Sequence, residues 1–465
     1  MMNALPDNVF VEIFSLCRIG EVGRGTWNHR PWKWHRLAHV CRTWRQIMFT
    51  STCRLRLELL CTHETPVRKN LGYLPAFPIV ISFFDHYFRN GDRDSLLAAL
   101  EHRDRVRVVE IKLPRSLFEE LATAMQEPLP ALTHLRFESD KFVEMPTLPD
   151  TFLGGSAPLL ETISIAGIPF PAAPTLLSSA RNLVEVDLCE MPQSGYIPPE
   201  AMVASLAALP KLKHLTVGFE GGMSYHDRIR LPSITRIVLP ALIRFFFDGL
   251  FEYFEDFVAQ IDAPQLNCLH IEYLDQDEGT DYQIPQLCKF VDRSEILKLS
   301  RCRRADVFIE PYIGILELSD RGQPFRLSIH EDAMGQVVNQ LSSLLSNVDR
   351  LFISSASGWG GEANIGDGIR WLEVFRPFTA VKALSIDNEL SYHIPLALNS
   401  VTDERAAEVL PALKLLCLEN ESMTSMKKFV AARQNVGCPV TFINKEREFK
   451  ERLNPLLNSL DDCEY

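Results

Sequence analysis

The hydrophobic residues of this chain follow one pattern many times, Leu-x-x-Leu-x-Leu, in which other apolar residues often replace leucine. The copies, many of them introduced by proline, are PALTHLRF at 130–137, PLLETISI at 158–165, NLVEVDL at 182–188, PKLKHLTV at 210–217, PSITRIVL at 232–239, PALIRFFF at 240–247, PQLNCLHI at 264–271, NVDRLFI at 347–353, AVKALSI at 380–386 and PALKLLCL at 411–418. The alternation of apolar and polar residues within each copy predicts a short β-strand.

Stretches with helical spacing lie between these copies, such as RDSLLAALEHRD before the strand-like VRVVEIKL, PEAMVASLAAL before PKLKHLTV, and DAMGQVVNQLSSLLSN before VDRLFI. The central apolar positions recur about every 22 to 30 residues, the period of leucine-rich repeats. One strand and one helix cannot bury their own apolar faces, so successive units are expected to stack. The sequence thus predicts an α/β fold, in which a curved leucine-rich-repeat-like solenoid spans residues 63–443.

The repeats are least regular between residues 275 and 320, where SEILKLS and GILELS are degenerate copies. The segment SMTSMKKFVAARQNVGCPVTFIN predicts one more helix and a strand at 438–443. A polar tail over residues 444–465 is expected to follow and to cap the array or fray.

Strand alternation also predicts which side chains the sheet leaves outside its core. The leucine positions point inwards, and the residues between them point out along the inner wall. One row is expected to contain His134, Thr162, Glu185, His214, Arg236 and Arg244, and the next Arg136, Ser164, Asp187, Thr216, Phe246, His270 and Phe352. A mixed polar wall with aromatic anchors can bind a protein, although any solvated sheet face has a similar composition.

The first 55 residues have a different pattern, which predicts two amphipathic helices. Pro6 suits the first turn of a helix, and apolar residues follow it at helical spacing. A second helix is predicted over WHRLAHVCRTWRQIMF at 34–49, with an apolar stripe formed by Trp34, Leu37, Val40, Cys41, Trp44 and Met48. A loop rich in Gly, Arg and Trp separates the two. Helices this short must pack on each other and on another surface.

Composition narrows the class of protein. The chain has 465 residues, too many for one ordinary compact core, and a net charge of −12, which disfavours binding to phosphate backbones. Eleven cysteines without a Cys-x-x-Cys pair are typical of reduced, mostly buried thiols. Neither a secretory signal nor an apolar run of membrane-spanning length is present. We expect an intracellular protein, cytoplasmic or nuclear, without a membrane partner.

Familiar catalytic motifs are missing from the sequence, including the P-loop, GxGxxG, GxSxG and HExxH. The glycine-rich SGWGGEANIGDG at 357–368 is interpreted as a loop between repeat units. A zinc site would have to use His35, His39, Cys41, Cys61 and His63, which lack the paired spacing of such sites. No catalytic residue, cofactor or metal is expected.

A single-stranded nucleic-acid platform is a further alternative, because it would combine basic and aromatic side chains. The residues available to it are Arg24, Trp27, His29, Arg30, Trp32, Lys33 and Trp34. Tryptophans beside a small helical unit more often complete its core or contact a protein. We therefore expect no nucleic-acid partner.

The segment LPDNVFVEIF, together with the stretch at 34–49, resembles an F-box, which has a Leu-Pro start, an amphipathic first helix and a Val-Cys-x-x-Trp core. The matching residues are Leu5 and Pro6 at the start, Val9, Ile13 and Phe14 in the first helix, and Val40, Cys41 and Trp44 in the core. The rest is similar to F-box proteins with degenerate leucine-rich repeats, which are abundant in mushroom-forming fungi. The loop over 18–34 departs from the short connection usual in an F-box.

This resemblance implies a substrate-recognition subunit of a cullin-based (SCF-type) ubiquitin ligase. An F-box-like domain over residues 1–62 would dock on a Skp-type adaptor and, through it, on cullin. The adaptor-binding candidates are Leu5, Pro6, Val9, Ile13, Phe14, Leu37, Val40, Cys41 and Trp44. Among them Cys41 and Trp44 are expected to be mostly internal, whereas Leu5 and Pro6 face the partner.

The repeat wall would hold a client protein of unknown identity. The candidate client-binding residues are His134, Arg136, Glu185, Asp187, His214, Arg236, Arg244, Phe246, His270 and Phe352. Two alternatives stay open at this point: a leucine-rich-repeat scaffold without a role in ubiquitination, and an enzyme with an unrecognised site.

Overall fold

The structure is a computed structural model. It describes residues 5–19, 34–139 except 56, 64, 66 and 85–90, 145–221 except 172–173, 236–273, 282–319 except 295 and 298, 324–355, 368–418 except 388–389 and 391–392, and 425–444. The chain forms two compact units, Met1–Ile197 and Pro198–Tyr465. Residues 357–367 of the glycine-rich segment, residues 20–33 of the loop over 18–34 and the tail from 445 onwards lie outside the described residues.

Unit 1 begins with four short helices and continues as alternating strands and helices. Its helices are α1 (Asp7–Ile19), α2 (His35–Ala38), α3 (Arg42–Thr50), α4 (Thr52–Leu55), α5 (Val67–Tyr73), α6 (Asp92–Leu100), α7 (Arg115–Ala124) and α8 (Thr175–Ser179). Its strands are β1 (Leu59–Cys61), β2 (Ile79–Phe83), β3 (Val106–Leu113), β4 (His134–Ser139), β5 (Thr162–Ala166) and β6 (Glu185–Met191).

The strands of unit 1 form a parallel sheet in chain order, β1 to β6. The register aligns equivalent repeat positions, so that Leu135 lies beside Ile163, and Ile163 beside Val186. All three side chains are buried. The predicted alternation is confirmed here, because every second residue of a strand reaches the same apolar layer.

Unit 2 repeats this arrangement with more elements. Its helices are α9 (Pro199–Leu206), α10 (Phe251–Val258), α11 (Pro285–Arg293), α12 (Met334–Gln340), α13 (Ser342–Leu345), α14 (Trp371–Phe375), α15 (His393–Asn399) and α16 (Lys427–Asn435). Its strands are β7 (His214–Phe219), β8 (Ile237–Val238), β9 (Arg244–Gly249), β10 (Ile261–Asp262), β11 (Cys268–Tyr273), β12 (Arg304–Glu310), β13 (Ile313–Ser319), β14 (Pro324–His330), β15 (Arg350–Ser355), β16 (Ala383–Ile386), β17 (Leu415–Leu418) and β18 (Thr441–Asn444).

The main sheet of unit 2 departs from chain order at its centre. The order is β7-β9-β11-β14-β13-β12-β15-β16-β17-β18. The chain leaves β11, forms the antiparallel meander β12-β13-β14 in reverse order, and then crosses to β15. β14 is parallel to β11, and β12 is parallel to β15. The meander therefore replaces the simple strand-helix unit in the region that the sequence marked as irregular.

Two of the predicted repeat copies do not form strands of the main sheet. In PSITRIVL residues 232–235 lie outside the described part of the chain, and Ile237–Val238 pairs with β10 in a separate two-stranded sheet. SEILKLS is not a strand among its described residues, which instead lie in turns and the start of a 3₁₀ helix. GILELS is a strand, β13, but it runs antiparallel to its neighbours.

The predicted helix over residues 34–49 is also divided in two. α2 ends at Ala38, and α3 begins at Arg42 after a turn. Cys41 is the N-cap of α3, with an extended backbone, and its Sγ accepts a hydrogen bond from the Trp44 N–H at 3.4 Å. This cap satisfies a backbone donor that would otherwise have no partner at the start of α3.

None of the helices in the described part of the chain has both the length and the apolar character needed to cross a bilayer.

Replacing Leu384 by Ala tests the apolar layer of unit 2. Leu384 lies in β16 and is fully buried, so the substitution is expected to lower the free energy of unfolding by about 2–5 kcal/mol. The matched control is Leu396→Ala, because Leu396 lies on α15 and is 60 % exposed. Urea unfolding of both variants measures the difference. Equal midpoints for the two variants would contradict this assignment of the core.

Candidate protein-interaction surfaces

The first four helices form a small unit that we call the helical head (α1 to α4). An aromatic cluster holds α1 against α3: the Trp44 ring lies 5.0 Å from that of Phe14 and 6.0 Å from that of Phe10, between centroids. Phe10 and Phe14 are buried, whereas Trp44 is only half-buried. Aromatic packing of this kind stabilises the head internally.

Trp34 anchors the helical head to the beginning of the sheet. Its indole Nε1–H donates to the Glu58 carbonyl oxygen at 2.8 Å, immediately before β1. Its ring centroid lies 5.4 Å from that of Phe77, which precedes β2, and 6.1 Å from that of Phe49 in α3. Because Trp34 is buried, it cannot stack on a nucleic-acid base as the platform hypothesis requires.

Some of the adaptor-binding candidates lie inside the helical head, and others lie on its surface. Phe14 is fully buried, and so it packs inside the head instead of facing a partner. Val9, Leu37 and Trp44 are half-buried; Leu5, Pro6, Ile13, Val40 and Cys41 are exposed. The expectation that Cys41 is internal is wrong, because the turn before α3 holds it outside the helix as the N-cap.

An apolar strip remains uncovered on the head. Ile13 and Leu16 follow Val9 along one side of α1 at spacings of four and three residues, and Leu16 is 65 % exposed. Leu5 before the helix is 48 % exposed, and Val40 in the turn before α3 is 55 % exposed. Sequence reasoning missed Leu16, although its helical spacing from Val9 and Ile13 was readable.

In unit 1 the sheet register brings the predicted second row together. Glu110, Arg136, Ser164 and Asp187 are consecutive neighbours across β3, β4, β5 and β6. Ser164 Oγ donates to Asp187 Oδ2 at 2.8 Å. The Arg136 guanidinium lies 3.9 Å from the ring centroid of Phe84. Burial raises the pKa of Asp187, while the Ser164 hydrogen bond and Arg136 oppose that rise.

The first row of unit 1 is likewise in register, with His134 beside Thr162 and Thr162 beside Glu185. In unit 2 His214 lies beside Arg244, as predicted. Arg236 does not belong to this row, because it precedes β8 in the separate sheet, where its Nε–H donates to the Ala259 carbonyl oxygen at 3.0 Å.

Six consecutive side chains within the second row of unit 2 form a group that we call the charge ladder. The strand register from β9 to β15 makes each residue in the following series the neighbour of the next: Phe246, His270, Arg326, Glu317, Asp306 and Phe352. The Phe246 and His270 rings meet edge to face at 4.6 Å between centroids. Arg326 Nη1 lies 3.8 Å from Glu317 Oε1.

The far end of the charge ladder is completed by Arg304, two residues before Asp306 on β12. Its Nε–H and Nη2–H donate to the two carboxylate oxygens of Asp306 at 2.7 and 2.6 Å. Its guanidinium carbon also lies 4.3 Å from the ring centroid of Phe352. Asp306 is 4 % exposed and is thus held as a buried, bidentate ion pair.

Burial shifts the pKa values of two residues in the charge ladder, Glu317 and His270. The pKa of Glu317 is raised by burial, although Arg326 opposes the rise. The pKa of His270 is lowered to about 4 by burial and by the positive charges of Arg326 and Arg244. His270 is therefore neutral near pH 7, and the ladder contains aromatic, neutral, cationic and anionic groups in fixed order.

Sequence reasoning missed the middle of this ladder. Phe246, His270 and Phe352 were predicted to share a row, but Arg326, Glu317 and Asp306 lie in the meander, where no regular Leu-x-x-Leu-x-Leu copy marks the strands. The reversed strand order could not be read from local periodicity.

Three of the candidate zinc residues, Cys41, Cys61 and His63, make other contacts in the structure. His63 Nδ1 lies 2.5 Å from Asp92 Oδ2, and the Cys61 thiol donates to the Ser95 carbonyl oxygen at 3.5 Å. Cys41 caps α3 in the head. Within the described residues, no three His, Cys, Asp or Glu side chains are grouped as metal ligands.

A polar groove lies between α12, α13 and α14 of unit 2. Its lining includes His330, Asp332, Arg370 and Glu373. His330 Nδ1 lies 3.7 Å from Asp332 Oδ2, and Arg370 Nη1 lies 3.5 Å from Glu373 Oε1. Of these side chains, Arg370 and Glu373 form an ion pair at the protein surface.

Comparisons with known proteins add little to this geometry. The sequence matches no family model and no curated protein. Among solved structures, the leucine-rich-repeat-containing protein LegL7 from Legionella pneumophila is similar over 83 % of this chain and 99 % of that chain, with 10 % sequence identity and a TM-score of 0.26. A TM-score this low does not establish a shared fold. The leucine-rich-repeat-like architecture therefore rests on the strand pairing of this chain.

The lowered pKa of His270 predicts that unfolding depends on pH. As the pH falls from about 6.5 to about 4, the unfolded chain binds a proton at this residue and the folded chain does not, so stability decreases by up to about 3 kcal/mol. In His270→Phe that contribution should be absent. Urea unfolding at about pH 7 and about pH 4.5 measures it. The control, His39→Phe, makes the same substitution at an exposed histidine and is measured at the same two pH values.

Replacing Trp44 by Ala tests the packing of the helical head. The cost is expected to be roughly 2–3 kcal/mol, less than for a fully buried aromatic side chain, because the indole is half-buried against Phe10 and Phe14. Trp44→Phe should recover most of the loss. Thermal unfolding monitored by circular dichroism gives both values. A wild-type melting curve for Trp44→Ala would exclude a structural role for the cluster.

Proposed function

We propose that this protein is a substrate-recognition subunit of a cullin-based ubiquitin ligase. In this proposal the helical head docks on a Skp-type adaptor and the outward sheet faces bind a client protein. The observation that carries the proposal is the exposed apolar strip of α1, to which Ile13 and Leu16 contribute, together with the exposed Leu5 and Val40 elsewhere in the head. Uncovered apolar side chains grouped on a small helical unit are typical of protein interfaces.

The physical gain from covering the strip is substantial. Burying one exposed leucine or isoleucine side chain contributes roughly 1.5–3 kcal/mol at most, and part is already realised where the side chain is half-buried. Several such residues together supply enough free energy for a helix-in-groove contact. The F-box resemblance of Leu5, Pro6, Val9 and Ile13 supports a Skp-type adaptor as the partner.

The anchored position of the head supports the same role. Trp34 ties α2 and α3 to the start of the sheet through a hydrogen bond and ring contacts. A head fixed in this way within unit 1 can carry the adaptor while leaving the outward faces of the strands open. The chain itself then needs no catalytic residue, since the thioester chemistry belongs to the other components of the ligase.

The charge ladder supports a client-binding role for the sheet of unit 2. Phe246 and Phe352 are half-buried aromatic side chains at its two ends, and aromatic residues in such positions act as anchors in protein interfaces. The ion pairs between them fix the positions of the charged groups, which favours a specific partner over a nonspecific one.

The second candidate is a leucine-rich-repeat scaffold without a role in ubiquitination. The repeat architecture and the charge ladder suit a scaffold as well as they suit a ligase subunit. The scaffold differs from the ligase subunit because no adaptor covers the apolar strip of its head. Adaptor binding therefore separates the two candidates.

The decisive experiment is capture of purified Skp-type adaptor by the purified full chain. Wild type should bind, and Ile13→Glu/Leu16→Glu should bind at least tenfold more weakly, because two charges enter an apolar interface. Biolayer interferometry gives both dissociation constants. Leu5→Ala/Pro6→Ala is expected to weaken binding as well, through lost apolar contact.

The matched control carries the same type of change on other exposed leucines, Leu159→Glu/Leu396→Glu. Its binding should equal that of wild type. If the wild-type chain fails to bind the adaptor, the ligase proposal is wrong and the scaffold function is favoured. If both double glutamate variants bind like wild type, the adaptor uses a different face.

A further inference from the structure

Each repeat has two residues between its first and second core positions, and these lie at the amino end of the strand. In the four consecutive strands β12, β15, β16 and β17 the pairs are Arg303-Arg304, Asp349-Arg350, Lys382-Ala383 and Lys414-Leu415. Five of these eight residues are cationic and one is anionic. We call the five cations the basic edge: Arg303, Arg304, Arg350, Lys382 and Lys414.

The strand register places the basic edge in one neighbourhood. Arg304 lies beside Arg350 across β12 and β15, and Ala383 and Leu415 continue that row. One residue earlier, main-chain hydrogen bonds link Asp349 N–H to the Arg303 carbonyl, Lys382 N–H to the Asp349 carbonyl, and Lys414 N–H to the Lys382 carbonyl, at 2.8 to 3.0 Å. Four strands span roughly 14 Å, a width that about four extended residues cover.

Local carboxylates compensate this charge only in part. Asp349 is shared by Arg303 at 3.3 Å and by Arg350 at 3.5 Å. Asp306 accepts two hydrogen bonds from Arg304. Five cations and two carboxylates leave three positive charges, in a chain whose net charge is −12. Lys382 and Lys414 are exposed, and neither makes an ion pair with any described residue.

The basic edge is not a general property of the repeats. The equivalent positions of β4, β5 and β6 in unit 1 are Thr133-His134, Glu161-Thr162 and Val184-Glu185, which contain two carboxylates and no Lys or Arg. The equivalent pairs of β3, β7 and β9 contain one cation each, Arg107, Lys213 and Arg244. The repeat fold therefore accepts either positive or negative side chains at these exposed positions, and folding alone does not require the cations. Their grouping at the end of unit 2 therefore points to recognition of a ligand.

We propose that the basic edge binds an acidic, extended segment of a client protein. Acidic side chains at alternate positions of such a segment lie roughly 6.8 Å apart on one side, within reach of the long Lys and Arg side chains on strands that lie roughly 4.8 Å apart. The ring of Phe352, two residues after Arg350 on β15, is half-buried beside this edge and offers an apolar contact. A protein segment is favoured over nucleic acid, because a long polyanion would also meet the repulsion of the strongly negative chain.

This assignment rests on the proposed client-binding role of the sheet, and it names the chemistry of the client. The test measures fluorescence anisotropy of a labelled peptide of about ten residues with alternating Glu and Ser, which spans roughly 33 Å when extended. The peptide is added to the full-length protein, and its counterpart with Gln in place of Glu serves as the neutral probe. Binding of the acidic peptide should weaken steeply as salt is added.

The critical variant is Lys382→Glu/Lys414→Glu, which should weaken peptide binding at least tenfold; Lys382→Gln/Lys414→Gln should give an intermediate loss. The matched control, Lys289→Glu/Lys427→Glu, reverses two exposed lysines on α11 and α16 and should bind like wild type. Folding of each variant is checked by circular dichroism, and the neutral pair decides the question if the reversed pair is unstable.

Equal affinity of wild type and the Lys382/Lys414 variants would overturn the proposal, as would equal binding of the neutral peptide. Tighter binding of an oligothymidylate of matched charge would overturn it in favour of a nucleic-acid ligand. Capture of the Skp-type adaptor is measured on the same variants and should be unchanged. Failure of peptide binding is therefore distinguishable from failure of the adaptor role.

Discussion

The structure depends on one packing constraint, the alignment of apolar side chains from successive strands into shared layers. Leu135, Ile163 and Val186 show it in unit 1, and Leu351, Leu384 and Leu416 in unit 2. Each of these six residues is fully buried. A slip of one residue would turn every core side chain outwards, so the register is strongly specified. The same register then determines which polar side chains are neighbours on the opposite face.

The meander in unit 2 shows how this constraint can accommodate a different chain path. β13 runs antiparallel, yet Leu316 and Leu318 still reach the core, and Glu317 between them is placed on the outward face. Burial of Glu317 and Asp306 would be costly for isolated carboxylates, and the adjacent Arg326 and Arg304 offset that cost. The irregular region thus provides a set of ion-paired side chains with aromatic residues at both ends.

The helical head is organised by different interactions. Its interior depends on aromatic contacts among Phe10, Phe14 and Trp44, and its link to the sheet depends on Trp34. These contacts use only one side of α1, and the side that carries Ile13 and Leu16 remains exposed. The proposed adaptor contact and the proposed recognition of acidic clients therefore use separate sets of residues, which can be altered independently.

The sequence by itself determined the repeat architecture, the core positions and most of the outward residues, because these follow from local alternation and from the repeat period. It also determined the pairing of two short helices in the head, although not the break at Cys41, where a side-chain cap replaces a helical turn. Only the tertiary structure decided the reversed order of β12 to β14, the exclusion of Arg236 from the sheet, and the meeting of His270, Arg326, Glu317 and Asp306. These features depend on pairing between strands distant in sequence, and local periodicity contains no information about that pairing.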